Sequence, residues 1–282
     1  MSSPTLKRRR LSIELRRLRQ RTDLSVTEAA KRLDLDPATI TRMERNDWKR
    51  PNINIIRNML TLYGVTDEAN RDALLTLARE SRQRGWWADY ADVFRSSLPD
   101  FESGARAIFE YPALLIAGLL QTEEYARAVF RGDQVLTDEA LLERHIRARM
   151  VRQEILDRED PPHFWAVIDE AALTKLVGGP DVMRDQLRHI CKMAAKPHIT
   201  IQVLPDSVGA HSGMMGAFTI LDFPAPDDPS MVYIETPTDA LYLEKPEEIH
   251  RYRIIYGHLL SAALPPEESV RFVASMADQL KE

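Results

Sequence analysis

The chain has 282 residues, of which 44% are hydrophobic and 29% charged, and its formal net charge is −5. This length suits two domains of ordinary size, and the acidic balance argues against a protein that binds polyanions along its whole length. Residues 1–60 nevertheless hold 15 basic and 7 acidic side chains, a local charge of +8, and the remainder carries −13. This asymmetry predicts that the basic N-terminal region binds nucleic acid and that the rest of the chain forms an acidic region. The alternative is that the basic side chains only form a solvated surface.

The cysteine content and the hydropathy pattern exclude several classes of protein. The single cysteine, Cys191, excludes an intramolecular disulfide and a cysteine-rich metal site, and its apolar helical neighbours indicate a small buried residue. No apolar run approaches the roughly 18 residues that a membrane-spanning helix needs, and the N-terminus lacks the apolar core of a secretion signal. We therefore expect a cytoplasmic, nucleoid-associated protein that needs no metal, no cofactor and no membrane.

The first predicted element is a basic helix that starts near Lys7. It carries Leu11, Leu15 and Leu18 on one side at helical spacing, which is typical of a helix packed on a core. The other sides of this helix carry arginines that are either phosphate contacts or solvated side chains, namely Arg16, Arg17, Arg19 and Arg21.

Two short helices follow, and local signals define where each begins. The residues 25–28, Ser-Val-Thr-Glu, form a capping box at the start of the first. Asp36 and Pro37 then supply the cap and first turn of the second, because proline loses no hydrogen bond at that position. This second helix buries Ile40 and Met43. Two short helices joined by a tight turn match the geometry of a helix-turn-helix.

The segment SVTEAAKRLDLDPATITRMERND, residues 25–47, resembles the helix-turn-helix of the phage-repressor-like (XRE) transcription regulators. Ala30 falls at the small position where the two helices cross. Asp34 and Asn46 stand where the family often has glycine, and both residue types tolerate a left-handed backbone. The resemblance implies a regulator that binds double-stranded DNA, and the few base contacts of one such unit imply a homodimer on a palindromic site.

The exposed side of the second helix supplies the predicted DNA contacts. Ala38 suits a thymine methyl group, Thr41 a base edge, and Arg42 the O6 and N7 atoms of guanine. Thr39, Arg45 and Lys49 would hold phosphates and set the register without reading sequence. Relatives bring the next segment close to the DNA backbone, which adds Arg50 to the phosphate contacts. The predicted interface is Pro37, Ala38, Thr39, Thr41, Arg42, Arg45, Lys49 and Arg50.

Further elements divide the chain into two predicted domains. Helices at 52–63 and 67–84 complete an all-α domain of five short helices over residues 1–84, and residues 85–282 form an α+β domain. In that second domain the spacing of Ala105, Ile108 and Phe109 predicts a helix over 101–111. Alternating or apolar runs predict strands at 163–168, 199–204, 218–223, 231–235 and 240–244. We expect one modest sheet, largely antiparallel or mixed, flanked by helices.

A second resemblance covers the C-terminal half. The segment LLIAGLLQTEEYARAVF, residues 114–130, and the later VIDEAAL, IQVLP, GAFTIL and VYIET are similar in order and spacing to the C-terminal domain of the WhiJ-like, antitoxin-type regulators of actinobacteria. This resemblance implies an autoregulatory protein that responds to a small partner protein encoded by an adjacent gene.

The remaining chemistry gives little support to an enzyme. His211 lies in a glycine-containing loop between two strands, but Gly-x-Ser-x-Gly, His-x-x-x-His and phosphate-loop patterns are missing from the sequence. We predict no catalytic residues. A ligand or partner pocket around His211, Phe218 and Tyr233 is the alternative to these aromatic residues simply filling the core. Such a pocket would make the protein a repressor that responds to a metabolite.

Overall fold

The computed structural model describes residues 3–48, 50–94, 96–132, 138–226 and 228–280. The chain separates into two compact units. The first unit comprises Met1–Asp89 together with Pro99–Gly104, and the second comprises Tyr90–Leu98 together with Ala105–Glu282.

The first unit is helical and has one apolar core. Its first five helices are α1 (Pro4–Arg21), α2 (Val26–Leu33), α3 (Pro37–Glu44), α4 (Ile53–Leu62) and α5 (Glu68–Glu80), and they confirm the predicted helical domain. A short helix α6 (Leu98–Gly104) follows later in the chain, and its residues from Pro99 belong to this unit. Leu11, Leu15 and Ile56 are fully buried at the centre of the core. Helix α5 ends at Glu80, four residues before its predicted end.

Local capping signals define these helices, as the sequence predicts. The Ser25 hydroxyl accepts a hydrogen bond from the Glu28 N–H, and the Glu28 carboxylate accepts one from the Ser25 N–H. Asp36 caps α3 by accepting from the Ala38 N–H at 2.6 Å, with Pro37 in the first turn. Asp34 and Asn46 have φ of 55° and 60°, which confirms the left-handed backbone expected at both positions.

The second unit is built on one mixed six-stranded sheet with the strand order β3-β2-β1-β4-β5-β6. Strands β1, β2 and β3 are parallel to one another, whereas β4, β5 and β6 continue the sheet by antiparallel pairing. The strands are β1 (Ala107–Tyr111), β2 (His163–Asp169), β3 (Ile199–Leu204), β4 (Phe218–Asp222), β5 (Met231–Glu235) and β6 (Ala240–Leu243). This architecture confirms the predicted α+β domain with one mixed sheet.

One predicted element in this unit is wrong. The helix expected over residues 101–111 is instead the end of α6 followed by β1, which lies between β2 and β4 near the centre of the sheet. Ile108 is fully buried and pairs with Phe164 on one side and Leu221 on the other. Ile108 and Phe109, whose spacing suggests a helix, therefore belong to a strand that has buried residues on both of its faces.

Helices flank the sheet of the second unit. They are α7 (Glu123–Gly132), α8 (Glu139–Gln153), α9 (Glu170–Thr174), α10 (Pro180–Ala194), α11 (Pro246–Ala262) and α12 (Pro266–Gln279). Helix α11 packs Tyr256 and Leu259 into an apolar cluster on one face of the sheet. Across the described ranges no helix is long and apolar enough to cross a membrane, and no three acidic, histidine or cysteine side chains converge as metal ligands would.

Candidate nucleic-acid interface

Helix α3 packs on the core of the first unit through one side, and its opposite side is exposed to solvent. Ile40 is fully buried and Met43 is 4% exposed, as the sequence predicts. The carboxylate of Glu44 receives two hydrogen bonds from Arg19 of α1, at 2.6 and 2.8 Å. Arg19 is therefore neither a phosphate contact nor a solvated side chain. This bidentate pair raises the pKa of Arg19, so its positive charge is permanent, and it fixes α3 to α1.

The outer side of α3 carries the residues that the sequence assigns to DNA. Ala38 and Arg42 are exposed, and Thr41 is half-buried. The Thr41 hydroxyl donates to the Pro37 carbonyl at 3.0 Å, so in this conformation it can only accept at a base edge. Among the other predicted contacts, Pro37, Arg45 and Arg50 are exposed, Thr39 is half-buried, and Lys49 lies outside the described residues.

A cleft of about 520 Å³ lies beside this face of α3. Thr39 and Arg42 line it from the helix, and Arg50 lines it from the segment that leads to α4. Trp48 also lines the cleft, and its indole N–H donates to Ser12 Oγ of α1 at 2.9 Å, which fixes the ring. The predicted contacts Thr39, Arg42 and Arg50 thus share one concave surface.

Arg8 belongs to the same cleft, although the sequence analysis does not single it out. Its Nε donates to Asn46 Oδ1 at 3.1 Å, across 38 residues of sequence. Burial lowers the pKa of Arg8, and the charge of Asp100 acts in the opposite direction. Because no local pattern links residue 8 to the end of α3, only the fold identifies this cation as part of the surface.

In the second unit, the structure brings together two of the three predicted pocket residues. His211 and Phe218 both contact the ring of Tyr111, with ring centroids 6.1 Å away in each case. Tyr233 pairs with Thr219 and lies on the opposite face of the sheet from Phe218, where its hydroxyl contacts Ser96.

His211 is part of a hydrogen-bonded cluster at the carboxyl ends of β1 and β2. The Tyr111 hydroxyl donates to Asp169 at 3.1 Å, and the His211 Nε2 lies 3.5 Å from the same carboxylate oxygen. The His211 Nδ1 accepts from the Gly213 N–H, which assigns the proton of the neutral ring to Nε2. Burial and Asp169 raise the pKa of Tyr111, so its hydroxyl remains a donor.

Gly213 allows the loop to approach this cluster closely. A Cβ atom added at this position would lie 2.7 Å from the Tyr111 ring, a distance that Cβ atoms essentially never show, so the ring or the loop would have to shift. The Tyr111 hydroxyl, the Asp169 carboxylate and both ring nitrogens of His211 all have partners among the described residues.

Comparison with known families accounts for both units. Residues 10–74 match a helix-turn-helix domain, and residues 95–275 match a domain of unknown function, DUF5753. The chain belongs to the DUF5753 family. No curated protein and no solved structure matches it. In this DUF5753 protein the helix-turn-helix is of the XRE type, which confirms the resemblance of residues 25–47 and identifies a DNA-binding regulator.

Proposed function

We propose that the protein is a sequence-specific transcription regulator that inserts α3 into the major groove of double-stranded DNA. The observation that carries this proposal is the two-sided character of α3, with Ile40 and Met43 buried while Ala38 and Arg42 are exposed. Arg42 would pair with guanine, Ala38 would contact a thymine methyl group, and Thr41 would accept at a base edge. Pro37, Thr39, Arg45, Lys49 and Arg50 would surround the phosphates.

Selection of bound sequences from a random DNA pool tests this proposal directly. The full-length protein should enrich a palindromic site, and Arg42→Ala should weaken binding to that site by about 1–3 kcal/mol and relax the preference at one base pair. Arg45→Ala is the matched control, because loss of a phosphate contact should weaken binding to all sequences equally. Failure to enrich any site would overturn the proposal.

We further infer that the second unit senses a small protein encoded by an adjacent gene and that the regulator controls its own operon. Exposed apolar side chains follow each of the parallel strands β1, β2 and β3: Leu114, Leu115, Leu176, Met214 and Met215. The carboxyl ends of parallel strands lie at one edge of a sheet, so we expect the loops that carry these side chains to share that edge. Met215 is 96% exposed, and flexible apolar surface of this kind suits a protein partner.

A metabolite is the second candidate effector, because the Tyr111–Asp169–His211 cluster adjoins the same edge of the sheet. The two candidates are distinguished by repeating the DNA selection with the neighbouring gene product present and by a thermal-shift screen with metabolites. A change in DNA binding with the small protein supports the first candidate. A metabolite shift that Asp169→Asn removes, without any effect of the small protein, supports the second.

A further inference from the structure

The cleft beside α3 combines apolar and cationic lining residues. Met43, Trp48 and Ile55 supply apolar surface, and Arg8, Arg42 and Arg50 supply three positive charges. A single carboxylate, that of Asp47, also lines the cleft, so the four charged side chains sum to +2. A ligand that matches this surface carries a negative charge at one end and carbon-rich surface at the other.

Arg8 is fixed in the wall of this cleft. Its hydrogen bond to Asn46 ties its Nε to the residue that ends α3 in a left-handed conformation. The guanidinium keeps its charge despite burial, because arginine does not deprotonate in proteins. A partly desolvated cation of this kind gains more from an anionic partner than a fully hydrated one does.

The position of the cleft limits what can occupy it. Thr39 and Arg42 belong both to the cleft and to the exposed face of α3, so a duplex that contacts this face lies directly beside the opening. A deoxyribose ring supplies the carbon surface that suits Trp48 and Ile55, and its phosphate supplies the negative charge.

We propose that the cleft binds one deoxyribose–phosphate unit of the DNA backbone, with Arg8 and Arg50 on the phosphate and the sugar against Trp48. This inference rests on the proposed function and adds Arg8, a residue of α1, to the DNA contacts. Arg8 acts here as a positioning contact: it sets the depth and register of α3 and reads no base.

The first test is the salt dependence of operator binding by the full-length protein, measured by fluorescence anisotropy between about 50 and 200 mM salt. Each phosphate contact contributes about 0.9 to the slope of log K against log salt, so Arg8→Gln should reduce the slope by roughly that amount per chain. The preference among base pairs should remain. Arg79→Gln is the matched control, because Arg79 is an exposed arginine of α5 in the same unit and does not line the cleft.

A second measurement identifies which phosphate of the operator Arg8 contacts. Neutral methylphosphonate groups are introduced one at a time along the operator, and binding by the unaltered protein is compared with binding by Arg8→Gln. At one position per half-site the two losses should be non-additive, because each change removes the same contact. Additive losses at every phosphate would overturn the inference.

Two further outcomes separate the possible sources of failure. If the unaltered protein binds no duplex, the proposed function fails before the cleft is tested. If a free deoxynucleoside monophosphate binds to the protein, competes with the operator and loses affinity in Arg8→Gln while the salt slope is unchanged, the cleft is a site for small anions. That result would overturn the backbone assignment.

Discussion

At the scale of single residues, the ion pair between Arg19 and Glu44 joins α3 to α1. The side chains are 12% and 6% exposed, and two parallel hydrogen bonds join them. Arg19 also donates to the Leu24 carbonyl at 2.7 Å, so the guanidinium connects α1, the start of α2 and the end of α3. The direction in which α3 presents Arg42 depends on this pair.

Removing one partner of a buried pair leaves the other charge unpaired. We therefore expect Glu44→Gln to lower the free energy of unfolding by about 3 kcal/mol and to weaken operator binding. The double variant Arg19→Met with Glu44→Leu should recover most of the stability, because no charge is then left buried. Urea unfolding of the full chain measures both effects. A loss below about 0.5 kcal/mol in Glu44→Gln, the size expected of an exposed pair, would contradict this prediction.

Tyr63 adjoins this pair and gives the first unit a dependence on alkaline pH. Burial, and secondarily the charge of Glu44, raises the pKa of Tyr63 to about 12. The native state holds the neutral phenol, so its contribution to stability is complete below the unfolded pKa near 10. It is lost as the pH rises from about 10 to 12, by up to roughly 2–3 kcal/mol.

Tyr63→Phe should remove this contribution to the pH dependence. The Tyr63 hydroxyl is buried without a hydrogen-bond partner among the described residues, so its removal should also stabilise the protein by about 1 kcal/mol at neutral pH. The measurement is urea unfolding of both proteins at pH values below 10 and near 12. The gap in stability should widen with pH, and a constant gap would show that Tyr63 titrates normally.

Hydrogen-bond partners a few residues apart in the sequence were predictable from it, whereas partners far apart in the sequence were not. The caps at Ser25 and Asp36 involve residues two or three positions apart, so the sequence alone specifies them. Glu143 lies four residues before Arg147, a spacing that predicts an ion pair along one helix, but its salt bridge is with Arg127 of α7. The contacts of Arg8 and Arg19 likewise span 38 and 25 residues, and only the packed helices bring these partners together.

At the scale of elements, the misassigned strand β1 shows where periodicity fails. Residues 105–111 contain Ala105, Ile108 and Phe109 at helical spacing, and a strand buried on both faces lacks the alternation that would correct this interpretation. The edge strand β6 and its neighbour β5 were predicted because a short polar turn separates them. The order of strands was not predictable, since β1 pairs with β4 across more than 100 residues.

The segment Leu-Leu-Gln-Thr before α7, residues 119–122, is held by Gln186 of α10. This side chain is fully buried, donates to the Leu120 carbonyl at 2.8 Å and accepts from the Thr122 N–H at 2.7 Å. Gln121 donates to the Ile116 carbonyl, and Gln153 donates to the carbonyls of Gly118 and Gln121. Side-chain amides thus replace the backbone partners that a regular helix or strand would supply.

Gln186→Leu should therefore destabilise the second unit in particular. It leaves the buried Leu120 carbonyl and the half-buried Thr122 N–H without their partner, at a cost of about 2–4 kcal/mol, and should lower the thermal transition of that unit by several degrees. Differential scanning calorimetry of the full chain measures the change. Gln279→Leu, at an exposed position at the end of α12, is the matched control and should have little effect. Equal shifts in the two variants would contradict the role assigned to Gln186.

At the scale of the whole molecule, charge and helix-turn-helix geometry together predict how many chains act on one site. Residues 1–60 carry a local charge of +8, and among the described residues of this range α3 has the exposed face that is proposed to contact bases. One such helix contacts few base pairs, which is insufficient for specific recognition among many competing sites. Two chains related by a twofold axis would double the contacts on a palindromic operator.

We therefore expect two chains per duplex, with the centres of the half-sites about 34 Å, or roughly 10 base pairs, apart. Insertion of about five base pairs between the half-sites should abolish cooperative binding, because it rotates one half-site to the opposite side of the duplex. Insertion of about ten should restore part of it. Analytical ultracentrifugation of the complexes measures stoichiometry, and anisotropy titrations measure cooperativity. One chain per duplex at saturation, or indifference to spacing, would show that a single copy of α3 suffices.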